Sequence, residues 1–138
     1  MEIERISPPA KLPRRAYPND AGLDLYVADF YSILPGQIAL IKTGLKIAIP
    51  SGYAGLIWDK SSLAKTGLHA LAGVIDAGYR GEVIVSLINL SQDIVHLAAG
   101  QKIAQLLIQK IENLPIKETK ISDRTDRAAS GFGSSGFF

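Results

Sequence analysis

Val83-Ile84-Val85-Ser86-Leu87 repeats an aliphatic residue at every second position, Val83, Val85 and Leu87, and is rich in β-branched side chains. Period two is the period of a strand, because successive side chains leave opposite faces, so one face of this stretch is apolar and buried. The same alternation returns at Leu23, Leu25 and Val27, and again at Leu45, Ile47 and Ile49. Each predicts a half-buried strand. Turn-forming residues break the pattern at short intervals: Pro18-Asn19, Pro35-Gly36, Pro50-Ser51-Gly52, Asp76-Ala77-Gly78, Ala99-Gly100 and Pro115. Short strands between frequent breaks predict an all-β fold, a closed barrel or sandwich of jelly-roll type. Ile103 to Ile111 is apolar enough for a helix, but its Ile and Leu content after Gly100 favours a strand buried on both faces. One short helix is expected through Ser61 to Lys65, with Ser61 or Ser62 capping free backbone N–H groups.

The chain's 138 residues suit one domain with a substantial core. A net charge of +2, spread along the chain, gives no reason to expect a nucleic-acid partner. The adjacent pair Arg14-Arg15 reads as a solvated turn. With no cysteine, the chain has neither disulfides, thiolate ligands nor a thiol nucleophile. Met1-Glu2-Ile3-Glu4 does not open like a signal peptide, and no apolar run is long enough to span a bilayer. A cytoplasmic protein with no membrane partner is therefore expected. The C-terminal stretch changes character: Ser122 to Ser135 is rich in Gly, Ser and charge. By composition alone it is a disordered tail. The functional alternative is a flexible flap that orders over a polyanion, which would divide the chain into a barrel at 1–121 and a flexible, phosphate-binding arm at 122–138.

Familiar catalytic sets are scarce. His69 and His96 are the only histidines and have no metal-ligand spacing; His96 falls in a strand pattern and reads as structural. There is no Walker loop and no GxGxxG. Instead, five short polar and glycine-containing islands occur in order. They are Ala21-Gly22-Leu23-Asp24-Leu25-Tyr26, Asp59-Lys60-Ser61-Ser62-Leu63-Ala64, and Gly73-Val74-Ile75-Asp76-Ala77-Gly78-Tyr79-Arg80-Gly81. The fourth is Gly100-Gln101-Lys102-Ile103-Ala104-Gln105-Leu106, and the fifth runs from Arg127 to Gly136. Together, in this order, they closely resemble the five motifs of the trimeric dUTPase family.

The resemblance implies a distorted jelly-roll barrel assembled as a homotrimer, with each site shared between chains. It implies hydrolysis of dUTP to dUMP and pyrophosphate, which limits uracil in DNA and supplies dUMP for dTTP synthesis. Asp76 matches the general base that activates water against the α-phosphate. Tyr79 matches the ring beneath the deoxyribose, and a hairpin of Leu71, Ala72, Gly73 and Val74, continuing into Ile75, matches the backbone reader of uracil. Lys60, Ser61 and Ser62 match phosphate-binding positions, and Gln105 matches a glutamine of the phosphate and water network. Asp24 matches an aspartate that contacts water on Mg²⁺, with no direct protein ligand to the metal. In the tail, Arg127 matches the γ-phosphate arginine and Phe132 the aromatic that stacks on uracil, while Gly133, Ser134 and Ser135 close on the phosphates.

The match has departures. Lys60 stands where the family usually has Arg, and Asp59 where it has Pro; a lysine gives a movable point charge in place of a bidentate fork. Ala128 replaces a frequent glycine. Leu71-Ala72-Gly73 is shorter than many uracil-binding turns and carries no Asn. dCTP deaminases share the fold, and Ser61-Ser62-Leu63 and Ile75-Asp76-Ala77-Gly78 suit either family. They require a glutamate within the stretch aligned with Val85 to Asn89, where this chain has Ser86 and no acid. They also typically have Trp in place of Tyr79-Arg80. A nucleotide-sensing regulator on the same scaffold is the non-enzymatic alternative.

Overall fold

A computed structural model describes residues 1–122, 124, 125 and 128. The expected all-β architecture is observed. One antiparallel sheet has the order β1 (Glu2–Arg5), β4 (Ile38–Ala48), β8 (Glu82–Asn89), β6 (Leu68–Ala70). A second has the order β2 (Leu23–Tyr26), β10 (Lys102–Lys110), β5 (Tyr53–Asp59), β7 (Val74–Ile75). A two-stranded ribbon joins β3 (Tyr31–Ile33) to β9 (Val95–Leu97). The non-sequential neighbours in both sheets are those of a jelly roll.

The core follows the alternation. Val83, Val85 and Leu87 of β8 and Leu45, Ile47 and Ile49 on and after β4 turn inward and are buried, against Leu25, Ile103 and Leu106 of the other sheet. Burying each such aliphatic side chain stabilises the fold by about 1.5–3 kcal/mol before the entropy of ordering it is subtracted.

Three expectations are corrected. β2 is not half-buried: Leu23, Asp24, Leu25 and Tyr26 are all buried. The N-terminal segment covers its outer face, where Lys11 lies over the Tyr26 ring and Arg14 Nε donates to Tyr26 Oη at 3.2 Å. Arg14 also bridges Asp24 through the backbone, so it is more than a solvated turn residue. Residues 103–110 do lie in a strand, β10, buried on both faces at Ile103 and Ala104 but running out to exposed Gln109 and Lys110, with Ile111 just beyond its end. The helix α1 (Ser61–Ala64) lies where expected, but neither serine caps it. Lys60 occupies the N-cap and no side chain caps the turn, while Thr66 Oγ1 donates to the Leu63 carbonyl at the other end.

A bulge shapes the second sheet. Lys102 pairs with Tyr26, but the register then slips, so Gln105 and not Ala104 faces Asp24. Across an unbroken ladder Lys102 and Gln105, three apart, would point to opposite faces. The extra residue puts both on the face of Asp24, which is how a bulge re-aims side chains.

Candidate active site

The first cluster forms on that re-aimed face. Asp24 is 3% exposed, and its Oδ1 accepts from Lys60 Nζ at 2.7 Å. Lys102 Nζ stands 2.6 Å from Oδ2, in Coulombic contact, yet Oδ2 has no well-aligned hydrogen-bond donor among the described residues. Burial pulls the Asp24 carboxyl upward, and this is the largest single influence. The two ammonium groups beside it, Lys102 and Lys60, together outweigh it and hold the group below the ordinary aspartate value. The Lys102 ammonium is raised above the ordinary lysine value, chiefly by the Asp24 carboxylate beside it.

Beside this cluster, Asp24, Lys60 and Gln105 line a cavity of about 270 Å³ together with Asp20, Ala21 and Gly22. Gln105 lies across Gly22 so closely that a Cβ there would stand 2.7 Å from its Oε1. The glycine of the first island is thus explained by the glutamine of the fourth. With Asp20 on the wall, two carboxylates balance the ammonium groups of Lys60 and Lys102, so a polyanion would be held here by directed N–H donors and not by excess positive charge. An ammonium has three N–H donors; Asp24 takes one from Lys60, leaving two for phosphate oxygens.

The second cluster lies at β7 and the turn that follows. Asp76, Tyr79 and the segment Ala72–Ile75 line a cavity of about 210 Å³ with Glu82. Asp76 is exposed, and its carbonyl accepts from Tyr79 N–H at 3.0 Å, closing the turn. Arg80 Nη1 donates to the carbonyls of Ala77 and Tyr79, both at 2.7 Å, and locks the loop. Tyr79 Oη donates to the Glu82 carbonyl at 2.9 Å, with the ring packed over Gly81.

Residues 71–74 do not form the expected hairpin. β6 pairs with β8 in one sheet and β7 with β5 in the other, so the segment crosses between sheets. Leu71 N–H donates to the Ser86 carbonyl at 3.0 Å, and the Gly73 carbonyl accepts from Ile57 N–H at 2.7 Å. Leu71-Ala72-Gly73 is long enough for a hairpin turn, but β6 is taken up by β8 and β7 by β5, so the two strands do not pair with each other.

The two clusters therefore line different cavities with no residue in common. Lys60 and Gln105 are brought to Asp24, and Tyr79 and residues 73–75 to Asp76. Ser61 and Ser62, exposed on α1, line neither cavity. Arg127, Phe132, Gly133, Ser134 and Ser135 lie outside the described residues. Sequence reasoning missed Lys102, whose contact with Asp24 depends on the bulge. It also missed Arg80, whose place inside the third island was the available signal. No cluster of three or more His, Cys, Asp or Glu suited to a metal occurs among the described residues. Asp24 Oδ2, buried and lacking an aligned donor, fits a water on a divalent cation held mainly by phosphates; two adjacent ammonium groups disfavour direct ligation of a bare cation.

Comparison with known proteins gives a consistent result. A family model described as dUTPase matches residues 8–136. The deoxyuridine 5'-triphosphate nucleotidohydrolase of Nocardia farcinica is 44% identical over 138 residues, covering 97% of this chain and 84% of that protein. That of Mycobacterium leprae is 44% identical over 147 residues, covering 99% and 94%. Among solved structures, a variant dUTPase of Staphylococcus bacteriophage 80alpha with dUpNHpp superposes with a TM-score of 0.90 at 27% identity, covering 98% of this chain and 97% of that one. A variant dUTPase from phage phi11 of S. aureus, described as revealing the coordination of a structural Mg(II) ion, gives 0.81 at 26%, covering 88% and 97%.

Proposed function

Since this chain belongs to the dUTPase family and is a dUTP diphosphatase, we propose that it cleaves dUTP by attack of water on the α-phosphate, with Asp76 as the base. The observation that carries this reading is the shared cavity of Asp76, Tyr79 and residues 73–75. A carboxylate, an aromatic ring and a stretch of backbone donors and acceptors there match what an attacking water, a deoxyribose and a uracil each require.

Asp76 takes the proton of the water from its exposed position on the wall of the cavity. The Tyr79 ring, pinned through its hydroxyl, packs under the sugar and leaves no room for a ribose 2′-OH. Residues 71–75 read uracil through N–H and C=O groups. Lys60, Gln105, Ser61 and Ser62 bind the phosphates, with Lys102 holding Asp24 in place. Asp24 would hold Mg²⁺ through water, with no direct protein ligand, and the ion bound through the triphosphate would supply charge neutralisation at the phosphate oxygens. Residues 122–138 form an arm that brings Arg127, Phe132, Gly133, Ser134 and Ser135 over the nucleotide.

Two cavities on one chain support a homotrimer in which the Asp76 cavity of one subunit meets the Lys60 cavity of another. Exposed Ile38, Leu40 and Ile84 on one face of the first sheet supply apolar surface for such contacts. Removal of dUTP limits uracil incorporation into DNA and the product dUMP supplies dTTP synthesis, in the cytoplasm. Pyrophosphate release from dUTP, measured beside dCTP, dTTP and UTP, tests the function. The expected outcome is release from dUTP alone; ammonia release from dCTP would favour a deaminase.

A further inference from the structure

Asp59 ends β5 and points away from Lys60. Its Oδ1 accepts from the Ala70 N–H at 2.7 Å, and its Oδ2 lies 2.6 Å from His69 Nδ1. β5 and β6 belong to different sheets, so no ladder joins them at this level. The carboxylate does the ladder's work, fastening the end of β5 to the last residues before the 71–74 crossover.

The remaining anchors of the crossover are backbone bonds: Leu71 to Ser86, Ile57 to Gly73, and the short pairing of β7 with Gly55 and Leu56. Gly73 is packed so tightly on Ile57 that a Cβ would stand 2.8 Å from its carbonyl oxygen. The downstream end is thereby fixed. The upstream end is held by the β6–β8 pairing, which runs as far as Ala70 opposite Leu87, by Leu71 N–H and, as its one side-chain anchor among the described residues, by Asp59.

We propose that Asp59 is a positioning residue for base recognition, setting through Ala70 the place of the backbone groups that read uracil. The assignment rests on the proposed role of residues 71–75. A reader made of backbone alone is only as selective as its backbone is fixed, because misplacement by about 1 Å is enough to lose a hydrogen bond. No side-chain amide in Leu71-Ala72-Gly73 shares that task. Asp59 does not touch the nucleotide in this arrangement; it acts by holding what does.

Steady-state kinetics of the full-length Asp59→Ala, Asp59→Asn and His69→Ala variants test this, with hydrogen exchange of residues 71–74. Loss of a hydrogen bond to a charged acceptor predicts that Asp59→Ala raises KM for dUTP by about tenfold, with kcat within about twofold. The preference in kcat/KM for dUTP over dCTP falls in parallel, and amide exchange at 71–74 speeds up. Asp59→Asn retains an oxygen for Ala70 N–H and recovers most of KM. His69→Ala removes one partner only and raises KM by about threefold, a reading that serves even where Asp59→Ala fails to fold. Unchanged KM and base preference in Asp59→Ala, or in His69→Ala where the former does not fold, overturns the proposal. So does a loss confined to kcat, or no rescue by Asn. A wild-type chain that does not cleave dUTP defeats the functional reading, while the exchange measurement, which needs no turnover, still reports on the link.

Discussion

Asp24 sets the charge of the phosphate cavity and carries a pH signature. Its folded value lies below the 3.8 of the unfolded chain. Its pairing therefore stabilises the protein fully above about pH 3.8 and is lost as pH falls through the lower folded value. Lys102 has the opposite sign: raised above 10.5, it contributes fully below that pH and loses its contribution as pH rises through the folded value. Breaking a buried pair costs about 3–5 kcal/mol, and because Lys102 is partly exposed we expect about 2 kcal/mol for Asp24→Asn at neutral pH. Thermal melts of both proteins from neutral to acid pH check this, and the two curves should converge below pH 3.8. The residue's identity was legible in the sequence through its island, but its burial was not. An aspartate in an alternating strand reads as solvent-facing; it is buried because Arg14 bridges its backbone and Lys60 and Lys102 close on its carboxylate.

At the scale of elements, the strands with strict alternation were legible because a core on one face enforces period two. β8 and the inner half of β4 appear where Val83 to Leu87 and Leu45 to Ile49 placed them. What escaped was what depends on a partner strand: the β10 bulge and the crossover at 71–74. Each is set by register or by the choice of partner strand, which no local window contains. The arm gives a prediction at this scale. The last strand ends at Lys110, and residues 112–122 are exposed, so the core does not depend on them. Deleting residues 127–138 should leave the melting temperature within a few degrees while cutting dUTP turnover about a hundredfold, as the loss of a charge-assisted phosphate contact implies. Circular dichroism and pyrophosphate release on the same sample decide it.

For the whole molecule, separate cavities on one chain make a claim about assembly that mixing can test. Asp76→Asn and Lys60→Ala should each be nearly inactive alone. If every site takes Asp76 from one subunit and Lys60 from another, co-refolding equal amounts creates intact sites. Random association of two such chains predicts about a quarter of wild-type activity. Activity that stays at the level of the separate variants would place both residues in one chain's site.

The packing of Tyr79 over Gly81 has an evolutionary corollary. Any side chain at position 81 would collide with the ring, and a smaller residue at 79 would leave the cleft beneath it unfilled. Neither position can drift alone without a period of impaired descendants, so the two should be inherited as one character.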